Sequence, residues 1–132
     1  MKWSSEPFPS TAAALAAVEA LPVIEPAVGD LVRYKMPWRS QVITSETIYE
    51  VRAVTTDYDM HEYARSLGAD LPPLIVTKYA LVDAARPNDN SQRCWPIAGQ
   101  PDMPIRFELV AEAPPVEVDL LGLLDLLGWT TP

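Results

Sequence analysis

The feature that most constrains this chain is a glycine-aspartate turn opening directly onto an alternating segment, Val28-Gly29-Asp30-Leu31-Val32-Arg33-Tyr34. Gly29 adopts a positive φ at little cost, and Asp30 can bond a nearby backbone N–H, so the chain turns sharply before it extends. Past the turn Val32, Tyr34 and Met36 fall on one face while Leu31, Arg33 and Lys35 fall on the other, the period of a half-buried strand. The pattern recurs three times. Tyr49, Val51 and Ala53 alternate with Glu50 and Arg52; Ile75, Thr77, Tyr79 and Leu81 with Val76, Lys78 and Ala80; and Ile105, Phe107 and Leu109 with Arg106 and Glu108. Short alternating strands broken by Pro, Asn and Asp predict a mainly β fold, a small antiparallel barrel or sandwich, with the later strands pairing on the first.

The segments between these strands predict the rest. Residues 1–9 read as an irregular arm anchored by Trp3 and Phe8. Ser10 or Thr11 can cap a short alanine-rich helix to about Ala20, with Leu15, Val18 and Leu21 as its apolar stripe and Pro22 as its stop. Residues 37–46 form either an exposed loop or a longer hairpin. Residues 57–70 read as a helical insertion with Asp57 or Asp59 as N-cap, Met60, Tyr63, Ala64 and Leu67 buried, His61 and Glu62 outside, and Gly68 ending it. Residues 94–97 suit a short edge strand, because Pro96 has no N–H for a central ladder.

Pro114-Pro115 ends the domain, and residues 116–129 that follow hold six leucines and Trp129 behind a possible cap at Asp119. Left in water such a segment associates. It docks either on the barrel of its own chain or on another subunit. The expected organisation is an arm and short helix over 1–27, a barrel domain over 28–113 and a C-terminal leucine-rich docking tail over 114–132.

Charge narrows the partners. The net charge is −8, yet residues 33–106 are neutral with nine bases and nine acids, and no Lys or Arg follows Arg106. Phosphate contacts supply most non-specific nucleic-acid affinity, so acidic ends argue against DNA or RNA. Apolar runs are too short for a membrane span and no signal-peptide pattern opens the chain, predicting a soluble, unsecreted protein.

Chemistry finds little support. Cys94 is the one thiol and His61 the one imidazole, which leaves no disulfide, no Cys/His zinc set and no nucleophile–base signature. Asp57, Asp59 and Glu62 lack the spacing of a calcium loop, and the five glycines are scattered singly, so no phosphate loop forms. No cofactor, metal or small-molecule ligand is expected, and the chain reads as a non-enzyme.

The order of residues 28–34, then Ile48-Tyr49-Glu50-Val51-Arg52-Ala53-Val54, then Tyr79-Ala80-Leu81-Val82-Asp83, then Phe107-Glu108-Leu109-Val110 resembles the SH3-like small barrels of bacterial and phage accessory proteins. The resemblance spans roughly residues 28–112 and implies a role in binding or assembly. The expectation is therefore a non-catalytic structural protein of a larger complex such as a phage virion, in the capsid or as a tail accessory. It would contact other protein subunits through Trp3, Phe8, Trp38, Arg39, Leu120, Leu121, Leu123, Leu124, Leu127 and Trp129. Two alternatives stand beside it: a small cytoplasmic adaptor or inhibitor using Trp38, Trp95 and an acidic surface, and an enzyme with an unrecognised site.

Overall fold

The computed structural model describes residues 3–115. Seven strands form one antiparallel sheet: β1 (Trp3–Pro7), β2 (Leu31–Trp38), β3 (Gln41–Ser45), β4 (Tyr49–Asp59), β5 (Ile75–Asp83), β6 (Ile97–Ala98) and β7 (Arg106–Leu109). Two helices, α1 (Thr11–Glu19) and α2 (Glu62–Ser66), and a 3-10 turn at Asn90–Gln92 join them. The strand order is β1-β3-β2-β4-β5-β6, with β7 on β2. The fold is mainly β as expected, but the sheet does not close, so the predicted barrel is corrected to an open sheet. β2 is indeed the hub for β3, β4 and β7, whereas β5 and β6 are reached only through β4.

The predicted turn sets the start of β2. Gly29 has φ 95° and donates its N–H to Val51 O at 2.8 Å, while the Asp30 carboxylate accepts from Ala27 N at 2.9 Å. Val32 and Tyr34 are buried on the predicted face, joined by Tyr49, Val51, Tyr79, Leu81, Ile105 and Phe107, with Trp3 and Met36 packed against them. Along its length β2 changes partner, pairing with β4 at Leu31 and Val32 and with β3 from Lys35 onward. In that gap the Tyr34 N–H donates to Ser45 Oγ at 3.0 Å. Ser45 is fully buried, so one hydroxyl replaces a missing ladder bond and keeps a core amide satisfied.

Several local readings need correction. Residues 3–7 are not an irregular arm but β1, in register with β3 from Trp3↔Ser45 to Pro7↔Gln41. The helix has the predicted cap, Ser10 Oγ accepting from Ala13 N at 3.1 Å, yet its buried residues are Ala14 and Val18 rather than a Leu15–Val18–Leu21 stripe. They pack on Val42 with Phe8 and Ala17, because a small side chain at Ala14 lets the helix sit close to β3. The alternation of β4 fails after Val51, where register shifts fall between Val51 and Ala53 and again between Thr55 and Tyr58. A bulge adds a residue to one strand and reverses the faces, leaving Ala53 exposed and Val54 against the core. In β5 Tyr79 and Leu81 are buried, but Ile75 is 58% exposed and Val76 and Val82 are buried. Leu109 likewise points out, at 54% exposure, being the last residue of β7.

The helical insertion is shorter than predicted, since β4 runs on to Asp59 and α2 covers five residues with none buried. Tyr63 and Leu67, expected inside, are 75% and 71% exposed. Polar contacts hold this lobe instead. Asp59 Oδ1 accepts from His61 N at 3.0 Å and Leu74 N at 3.1 Å, and its Oδ2 pairs with the Arg65 guanidinium. His61 Nδ1 donates to Pro72 O at 2.7 Å. Arg65 holds the Asp59 carboxyl down at about 2, the hydrogen bonds from Leu74 and His61 adding to the effect against partial desolvation.

Candidate protein-interaction surface

Residues 37–46 form the longer of the two predicted alternatives, a β2–β3 hairpin whose last pair is Trp38↔Gln41, so Arg39 and Ser40 make the loop. Arg39 has φ 56°, the left-handed region that a tight hairpin requires and that a side-chain-bearing residue enters at a cost of about 1–2 kcal/mol. The tip is pinned from below, where Phe8 N donates to Ser40 O at 2.8 Å. Phe8 in turn packs on the α1 cluster. The connection from β1 to α1 therefore fixes the place of the hairpin end.

At that end Trp38 is 51% exposed, and the Arg39 guanidinium carbon lies 5.9 Å from the centre of its indole ring. The cation rests near the aromatic face, within the usual range of a cation–π contact. Beside them is a shallow cavity of about 340 Å³ completed by Thr11 and Leu15 of α1, Pro37 of β2, and Asp102 and Met103 of the loop before β7. A half-exposed Trp beside Arg over a partly apolar shelf has the composition of an interface hot spot.

The other expected interaction residues are placed differently. Trp3 meets Tyr34 edge-to-face, with ring centroids 5.1 Å apart at 85°, so its ring is occupied by the core. Phe8 faces the small α1 cluster. Leu120, Leu121, Leu123, Leu124, Leu127 and Trp129 lie outside the described residues. Trp95 is 56% exposed in the bridge segment that pairs Cys94 with Leu81. Leu15, Asp102 and Met103 were missed from sequence, because only the packing of α1 and of the 99–104 loop against the hairpin brings them to Trp38.

Cys94 sits against the core, and Tyr34 Oη donates to its Sγ at 3.9 Å. Burial pushes the thiol pKa up, with the Tyr34 and Tyr49 hydroxyls opposing it, and burial also raises the hydroxyl pKa of Tyr34. A protonated thiol is a poor nucleophile. Among the described residues no three His, Cys, Asp or Glu side chains come together as a metal site, and no helix is long and apolar enough to cross a membrane.

Comparison of the chain with protein-family models, with curated proteins and with solved structures finds no match, so the conclusion that stands on this geometry is a β-sheet domain presenting a pinned Trp–Arg hairpin.

Proposed function

We propose that this is a non-catalytic assembly protein that joins other copies or subunits of a larger complex through the tip of its β2–β3 hairpin. An SH3-like barrel ancestry and a place in a phage virion, as capsid or tail accessory protein, fit that role. The observation that carries the reading is the outward Trp38–Arg39 pair, pinned by Phe8 over a shelf made by three separate elements. Burying a Trp this exposed would release much of its apolar area, at roughly 25 cal/mol per Å². A cytoplasmic adaptor or inhibitor is the second reading, favoured by Trp95, which is equally exposed and offers a second anchor for a different protein.

Light scattering across a concentration series separates the two. An assembly protein should run above the 14.6 kDa of one chain as concentration rises, and Trp38→Ala should return it to the monomer with an unchanged melting temperature. Arg39→Gly should relieve the left-handed strain, offset by the greater freedom of glycine in the unfolded chain, and so leave stability nearly unchanged while weakening association, since the side chain beside Trp38 is lost. A monomer at every concentration would remove the self-assembly reading and leave the adaptor.

A further inference from the structure

The large apolar side chains left in solvent are not spread evenly over the described residues. Tyr63, Leu67, Leu71 and Ile75 are all exposed in the lobe that joins β4 to β5. Tyr63 lies in α2 and Leu67 caps it, four residues on, so the two form one ridge along the single turn. Beside the ridge is a shallow hollow of about 330 Å³ lined by Tyr58, Asp59, Glu62, Tyr63 and Ser66. Arg65 engages Asp59, whereas neither Glu62 nor Asp70 has an ion-pair partner among the described residues.

Charge sets this lobe against the hairpin. Residues 57–70 hold Asp57, Asp59, Glu62 and Asp70 against the one base Arg65, while residues 31–46 hold Arg33, Lys35 and Arg39 against Glu46. β7 leaves the second balance unchanged, placing Glu108 opposite Arg33 and Arg106 opposite Lys35. Asp102 on the shelf offsets only one of the remaining positive charges. A chain of net charge −8 therefore presents one basic apolar surface and one acidic apolar surface.

The hairpin offers an indole next to a guanidinium, and the lobe offers an apolar ridge next to a free carboxylate. Trp38 and Tyr63 are both exposed in the same molecule, so a contact between them joins two copies. We propose that the α2 lobe of a second copy seats on the hairpin shelf, with Tyr63 and Leu67 against Trp38, and Glu62 and Asp70 facing Arg39. This rests on the role of the hairpin in assembly and names the surface that the hairpin meets. Charge complementarity favours it over hairpin on hairpin, where two Arg39 guanidinium groups would confront each other. Because the two patches differ, the contact is heterologous and repeats into a ring or an open chain of copies. It is small beside stable interfaces, so it is weak for one pair and accumulates in an array.

Mixing two disabled chains tests this, with light scattering at concentrations on the order of 0.1–1 mM. Trp38→Ala removes the anchor of the shelf and keeps the lobe, and Tyr63→Ala combined with Leu67→Ala does the converse. Each alone should stay at the 14.6 kDa of one chain where the unaltered protein associates, and their equimolar mixture should reach twice that mass and no more. Association of the unaltered chain should weaken several-fold from low to high salt, and Glu62→Arg should weaken it at low salt. A lobe variant that associates like the unaltered protein, or a mixture that stays monomeric, would overturn the lobe as partner and leave the hairpin reading in place. An unaltered chain that is monomeric throughout would remove both. Melting temperatures should match across the set, since the altered side chains are exposed; if the double variant melts lower, Glu62→Arg decides the role of the lobe.

Discussion

The two ends of β4 are held in different ways. At its start Tyr49 and Val51 are almost wholly buried against Leu81, Tyr79 and Phe107, and the backbone follows a regular ladder with β5. At its far end, past two register shifts, the strand enters a lobe whose apolar side chains Tyr63, Leu67 and Ile75 stand in solvent. There one carboxylate, Asp59, gathers His61, Leu74 and Arg65. Burial secures the first region and polar convergence the second, so the two should respond to different perturbations.

Leu81→Ala removes a fully buried side chain opposite Val51 and should cost about 2–5 kcal/mol, read as a shift of the urea midpoint with an unchanged slope. A loss below 1 kcal/mol would mean that the start of β4 is not held by packing at all. Ser45→Ala comes next. It leaves the Tyr34 N–H without its acceptor in the core, and a buried unsatisfied donor costs about 1–3 kcal/mol. Replacement by Thr, which keeps the hydroxyl, should recover part of that loss, and an equal loss for both would assign the effect to volume instead of the hydrogen bond.

The smallest expected effect is local and depends on pH. The Asp59 carboxyl sits at about 2 in the fold, below the usual value near 4. A carboxylate with a depressed pKa stabilises fully above its unfolded value and loses that contribution as pH falls through its folded value. Amide exchange across residues 60–74 should therefore accelerate between about pH 4 and pH 2 while the β2 core stays protected, with exchange rates corrected for their intrinsic pH dependence. Asp59→Asn should abolish the acid dependence in the lobe, and its persistence in that variant would point to another group.

The contrast also shows which parts of the fold were legible. Around β2 local chemistry and tertiary packing agree: the Gly29–Asp30 turn, the Val32–Tyr34 face and the Ser10 cap all take the predicted form. In α2 they diverge, because spacing alone suggests an amphipathic helix while none of the described elements covers Tyr63 and Leu67. Bulges are equally silent in sequence, since the extra residue at Arg52 to Ala53 is set by the partner strand. At the candidate site Trp38 and Arg39 are neighbours in the sequence itself, but the shelf beside them joins residues as far apart as Thr11 and Met103.

By itself the sequence determined a mainly β chain organised on β2, the turn that starts it, the cap of α1 and the uneven spread of charge, because each depends on neighbours within a few residues. Tertiary structure alone decided that residues 3–7 join the sheet as β1, that the sheet stays open, that Trp3 turns to Tyr34 while Trp38 turns outward, and that Lys35 faces Arg106. Those outcomes rest on contacts between segments distant in the chain, where packing and register outweigh any local preference.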